Sequence, residues 1–101
     1  MGDVVPLDCE RPLTPQRALQ RIRSLWASGK VHWTPHAERR LKQRHLDNND
    51  VENSFRYGRV VEWSRPERLW RYKVQGPTVE QRRMACVVEL SGELIIVTVI
   101  V

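Results

Sequence analysis

The stretch Thr34-Pro35-His36-Ala37-Glu38-Arg39-Arg40-Leu41-Lys42-Gln43-Arg44 holds the side chains best suited to chemistry in this chain. His36, Arg40 and Arg44 recur at intervals of four, which on a helix sets them along one edge. An imidazole titrates near neutral pH and can carry a proton. Guanidinium groups neutralise phosphate oxygens and the charge that builds on them during displacement. One His and two Arg along an edge therefore suit a single phosphodiester. The same spacing also describes a plain solvated helix face. Thr98 is the only hydroxyl in the apolar run 94–101. It reads either as an ordinary β-branched strand residue or as a hydroxyl presented to a cleft. Arg71, Tyr72 and Lys73 offer a phosphate clamp and a stacking or proton-transfer group. Tyr72, however, alternates in phase with Trp70, a pattern commoner in a core. His32, in a short link between Val31 and Trp33, and His45, at a helix end where a cation suits the dipole, are weaker candidates. The sequence has no Gly-rich phosphate loop, no Ser-His-Asp order and no metal-ligand spacing. No metal or cofactor is expected.

These residues need elements to position them. Residues 1–13 carry two prolines and no periodicity and read as an extended arm. Thr14-Pro15 and Thr34-Pro35 are each a helix start, a capping hydroxyl followed by a ring suited to the first helical position. They predict helices over about 15–28 and 35–45, with Leu19, Ile22, Leu25 and Trp26 on the apolar side of the first and Ala37 and Leu41 on that of the second. Gly29 is placed to end the first helix. Asp47-Asn48-Asn49-Asp50 closes the second and opens a third, carrying Val51, Ser54 and Phe55 over about 48–57.

After Gly58 the period changes to two. Strands are predicted near 59–64, 69–75, 82–90 and 94–101. The last two are apolar on both faces, as interior strands are. The expected fold class is α+β: N-terminal helices packed on a four-stranded antiparallel sheet, in a single domain over 14–101.

Charge narrows the partner. The 101 residues hold 17 Lys and Arg against 12 Asp and Glu, a net +5, and 14 of the 17 are Arg. Arg suits bidentate phosphate contacts and stacking on bases. Eight of the basic residues lie within 17–44, with only Glu38 opposing them. A polyanion, most simply RNA, is the expected partner, with Arg39, Lys42, Arg71, Lys73 and Arg83 as further contacts. No apolar stretch approaches the ~20 residues of a membrane helix. Asp3, Asp8 and Glu10 interrupt any secretory pattern at the N-terminus. The two cysteines, Cys9 and Cys86, lack ligand spacing and suit free thiols in a reducing cytoplasm.

The pattern Thr34-x-His36-Ala37-x-x-Arg40-x-x-x-Arg44, followed by Arg59-Val60-Val61-Glu62, Arg71-Tyr72-x-Val74-x-Gly76 and a closing Ile96-Val97-Thr98-Val99, resembles a small bacterial family called domain of unknown function four-two-five-eight. The likeness spans residues 31–101. It implies a RelE/ParE-like, barnase-like ribonuclease fold, and metal-independent RNases or toxins of toxin–antitoxin and competition systems. Carried over by position, it implies His36, Arg40, Arg44 and Thr98 as the site. The long N-terminal arm, the extra helix and Arg39 beside Arg40 depart from the pattern. The expected activity is thus RNA cleavage by 2′-hydroxyl transphosphorylation, with a cognate antitoxin or inhibitor as a possible protein partner. The alternatives are a non-catalytic nucleic-acid-binding module and a protein-interaction domain that pairs a sheet edge with a partner strand.

Overall fold

The computed structural model describes residues 11–101. Cys9 and most of the expected arm lie outside the described residues. Arg11 to Leu13 run onto the body of the fold, where the Leu13 N–H donates to the Tyr72 hydroxyl at 2.8 Å.

Three helices and five strands follow: α1 (Pro15–Ala27), β1 (Val31–Trp33), α2 (Pro35–Gln43), α3 (Asn48–Tyr57), β2 (Arg59–Ser64), β3 (Arg71–Pro77), β4 (Arg83–Leu90) and β5 (Leu94–Ile100). Both Thr-Pro starts form as the local chemistry dictates. Thr14 and Thr34 are extended, and their hydroxyls accept the N–H of Arg17 at 3.2 Å and of Ala37 at 3.1 Å. At α3 the cap is reciprocal: Asp47 accepts from the Asp50 N–H and Asp50 from the Asp47 N–H, both at 3.1 Å. α2 stops two residues short of the expected His45. Arg44 is its C-cap and His45 turns left-handed at φ 55°, so that Leu46 N–H bonds the Leu41 carbonyl at 2.9 Å.

The sheet order is β1-β5-β4-β3-β2. β2 to β5 form the expected antiparallel meander, but the sheet is five-stranded and mixed, not four-stranded and antiparallel. Residues 31–33, expected to be a link, form β1, parallel to β5 with Val31, His32 and Trp33 opposite Leu94, Ile95 and Ile96. Three residues are too few to display an alternation. What makes them a strand is the free edge of β5, more than sixty positions away in the chain.

All three helices lie on one face. Ala18, Ile22, Leu25, Ala37, Leu41, Val51 and Phe55 from the helices interlock with Val60, Tyr72, Val74, Cys86, Val88, Leu94, Ile96 and Val99 from the sheet in one buried cluster. Trp26 joins it, edge-on to both Trp33 and Phe55, with centroids 6.3 and 5.5 Å away. α3 sits unusually close to β3. A Cβ on Gly76 would fall 2.4 Å from the Ser54 carbonyl oxygen and 2.9 Å from the Gly58 Cα. The two glycines therefore permit backbone to touch backbone.

Candidate functional site

Among the described residues no helix covers the other face of the sheet, and its side chains can be read off the strand register. Residues paired across antiparallel or parallel neighbours project to the same side. One row runs Ser64, Arg71, Glu89, Ile95 and His32 across all five strands. The next runs Glu62, Lys73, Val87 and Thr98. A third holds Arg59, Gln75, Ala85 and Ile100. Thr98 reaches this open face because β5 bulges: Val88 pairs with Ile96 and Val87 with Thr98, leaving Val97 without a partner. The bulge keeps Ile96 and Val99 in the core while turning Thr98 outward.

β1 ends at Trp33, and beyond it α2 takes over the edge of β5. Thr34 is the hinge. Its backbone N–H donates to the Ile96 carbonyl at 3.3 Å, and its hydroxyl lies 3.0 and 3.1 Å from the Ile96 and Val97 carbonyls. Further along, Arg40 Nε donates to the Val99 carbonyl at 3.4 Å. The helix thus runs alongside the bulge with Thr98 between its two points of attachment. His36 lies one turn before Arg40 and is exposed. Arg40 and Thr98 accordingly border one stretch of sheet edge, with His36 on the preceding turn of the same helix. Arg44, exposed and at the helix cap, lies a further turn on, about 6 Å along the axis from Arg40.

The other proposed contacts divide. Arg39 is exposed on the outer side of α2. Lys42 lies on the opposite flank from Arg40, lining a shallow groove of about 590 Å³ with Trp33, Leu41, Leu46 and Asn48. His36, Arg39, Lys42 and Arg44 have no ion-pair partner among the described residues. Arg71 and Lys73 do face the open side, but each is partnered. Arg71 Nε meets Glu89 Oε2 at 2.6 Å, and Lys73 Nζ lies 3.8 Å from Glu62 Oε2. Lys73 shares its row with Thr98, two strand spacings or about 10 Å away. Arg83 is exposed at the start of β4. Tyr72 points the other way. It is 2% exposed and its hydroxyl takes up the Leu13 N–H, so it belongs to the core and cannot meet a ligand on the open face.

Two residues gain importance that their sequence context did not suggest. Thr34 is more than a helix cap, since its contacts with β5 place α2. His32, in a segment expected to be a link, projects from β1 onto the open face beside Ile95. Among the described residues no three His, Cys, Asp or Glu side chains gather as metal ligands would. None of their helices is long and apolar enough to cross a membrane. Cys86 is a free thiol in the core; burial pushes its pKa from 9.0 up to about 12, opposed in part by the Ser54 hydroxyl.

The fold and edge site define a small α+β protein with a basic helix laid along a sheet edge. The chain belongs to the family described as Domain of unknown function (DUF4258), whose model matches residues 33–101. α1 and the first two residues of β1 precede the matched stretch. No curated protein and no solved structure matches the chain significantly.

Proposed function

We propose that the protein is a metal-independent ribonuclease of the toxin type, with a RelE-like, barnase-like arrangement of site and sheet. The observation that supports this reading is the attachment of α2 to β5 on either side of Thr98, through Thr34 and Arg40, with His36 one helical turn before Arg40. In the reaction an RNA 2′-hydroxyl attacks its own phosphorus. The His36 imidazole takes the hydroxyl proton, and Arg40 stabilises the charge that grows on the phosphate oxygens. The Thr98 hydroxyl orients the phosphate. Arg44, without a carboxylate partner among the described residues, holds the flanking backbone one turn beyond Arg40, and Arg39 and Lys42 add positive charge elsewhere on the helix. The products are a 2′,3′-cyclic phosphate and a 5′-hydroxyl end.

The reading is tested by cleavage of RNA in EDTA. His36→Ala is expected to lose about 10²–10⁴-fold in rate while keeping the fold and RNA affinity, because an exposed side chain leaves no cavity. Arg40→Ala is expected to weaken both binding and rate. Affinity is expected to fall steeply with salt, as phosphate neutralisation requires. Full activity in His36→Ala, or cleavage that needs a divalent metal, would sink the mechanism. RNA binding by a wild-type protein that cleaves no RNA would leave a binding module. A strand-pairing interaction domain is the third outcome, favoured by the outer edge of β2, unpaired among the described residues, and its exposed Trp63. It would show as a co-purifying protein and no RNA affinity.

A further inference from the structure

Transphosphorylation of RNA needs two proton transfers, one from the attacking 2′-hydroxyl and one to the departing 5′-oxygen. His36 and its arginines account for the first. We propose that His32 supplies the second, acting as the general acid on the open face of the sheet; the proposal rests on the ribonuclease reading above.

Three observations carry it. His32 and His36 stand two residues to either side of Thr34. Thr34 is held to the Ile96 and Val97 carbonyls, so the stretch of chain that carries both histidines is anchored at the bulge of β5. The register places His32 beside Ile95 on the face that also carries Thr98, three positions further along the same strand. His32 is exposed and has no ion-pair partner among the described residues. Across Ile95 from it stands Glu89, whose carboxylate is already engaged by Arg71. A phosphodiester lying over Thr98 would thus be approached along one edge of β5 by the strand that carries His32 and the helix that carries His36. An in-line displacement needs two such groups, since one oxygen gives up a proton as the other takes one. His32 lies one residue before the stretch matched by the family model.

The step balances without a co-reactant. The bond from O2′ to phosphorus forms as the 2′ proton passes to the neutral His36 imidazole. The bond from phosphorus to O5′ breaks, its electron pair leaves with O5′, and the protonated His32 imidazole gives that oxygen its proton.

The test uses two substrates that differ in their need for an acid. Uridylyl-3′,5′-adenosine loses an alkoxide that must be protonated. The 4-nitrophenyl ester of uridine 3′-phosphate loses a nitrophenolate that needs no proton. On the dinucleotide, His32→Ala is expected to lose about 10²-fold or more. On the nitrophenyl ester it is expected to stay within a few-fold of wild type. His36→Ala, lacking the base, is expected to be impaired on both. Thermal melts of the two variants should match wild type, which separates chemistry from folding. Equal activity of His32→Ala and wild type on the dinucleotide overturns the proposal while leaving the ribonuclease reading intact. Equal loss on both substrates also overturns it, because a residue that only binds phosphate does not distinguish leaving groups. Inactivity of the wild type on both substrates and on long RNA removes the ribonuclease reading itself.

Discussion

Thr34→Val removes one hydroxyl and keeps the shape and β-branched rotamer of the side chain. In α2 that hydroxyl does two things: it accepts the Ala37 N–H, and it donates to the β5 carbonyls of Ile96 and Val97. Loss of a Thr cap costs about 1 kcal/mol. Loss of the bond to β5 adds about 0.5–1.5 kcal/mol. Thr14 provides the internal control, since its hydroxyl caps α1 in the same Thr-Pro context but bonds only Arg17 N–H in an exposed setting. Thr14→Val should therefore cost about 1 kcal/mol, and Thr34→Val about 1.5–2.5 kcal/mol in sum. The difference of about 1 kcal/mol corresponds to roughly 4–8 °C in Tm for a domain of this size. Urea denaturation of both variants, at unchanged m, measures it. If the hinge positions α2, the ribonuclease activity proposed above should also fall in Thr34→Val and not in Thr14→Val. Equal destabilisation by the two substitutions would show that the contacts with β5 contribute nothing, and the account of how α2 is held to the sheet edge would fail.

Three further outcomes follow from the fold. Gly76→Ala drives a Cβ to 2.4 Å from the Ser54 carbonyl, a backbone atom that cannot rotate away; it is expected to cost at least about 1–3 kcal/mol, and a neutral result in urea would refute the close approach of α3 and β3. His45→Gly relieves a non-glycine left-handed residue at φ 55°. The strain is about 1–2 kcal/mol, part of it offset by the greater freedom of glycine in the unfolded chain; a small gain in stability is expected, and a loss would mean that the His45 side chain makes a contact of its own. Burial raises the Cys86 thiol to about 12 from 9.0, so its contribution to stability is complete below about pH 9 and is lost as pH rises toward 12. Cys86→Ala should abolish that part of the alkaline loss. In a Cys9→Ser background the remaining thiol should resist a thiol reagent at pH 8 until the protein unfolds, and rapid labelling of the native protein would contradict its burial.

Local chemistry was enough to place most of the elements in this chain. The helix starts at Thr14-Pro15 and Thr34-Pro35, the reciprocal cap of Asp47 and Asp50, and the change of period at Gly58 are each settled within a few residues. The row His36-Arg40 was visible for the same reason, because residues four apart on a helix share an edge whatever surrounds it. Even the double-sided apolarity of β5 was a true signal, although it conflicted with a four-stranded meander in which β5 would be an edge. β1 resolves that conflict, and it could only be found in three dimensions. Residues 31–33 have no periodicity of their own and become a strand by lending hydrogen bonds to β5. Tertiary structure likewise decided which face each strand residue takes. It sent Tyr72 into the core, tied Arg71 to Glu89, and used a one-residue bulge at Val97 to turn Thr98 outward. It also set His32 on the open face and Thr34 against β5, two placements that depend on pairing across more than sixty residues. Capping and periodicity act between neighbours in the chain, so the sequence alone determined them; facing and pairing depend on which distant backbone groups find one another, and only the folded chain decides that.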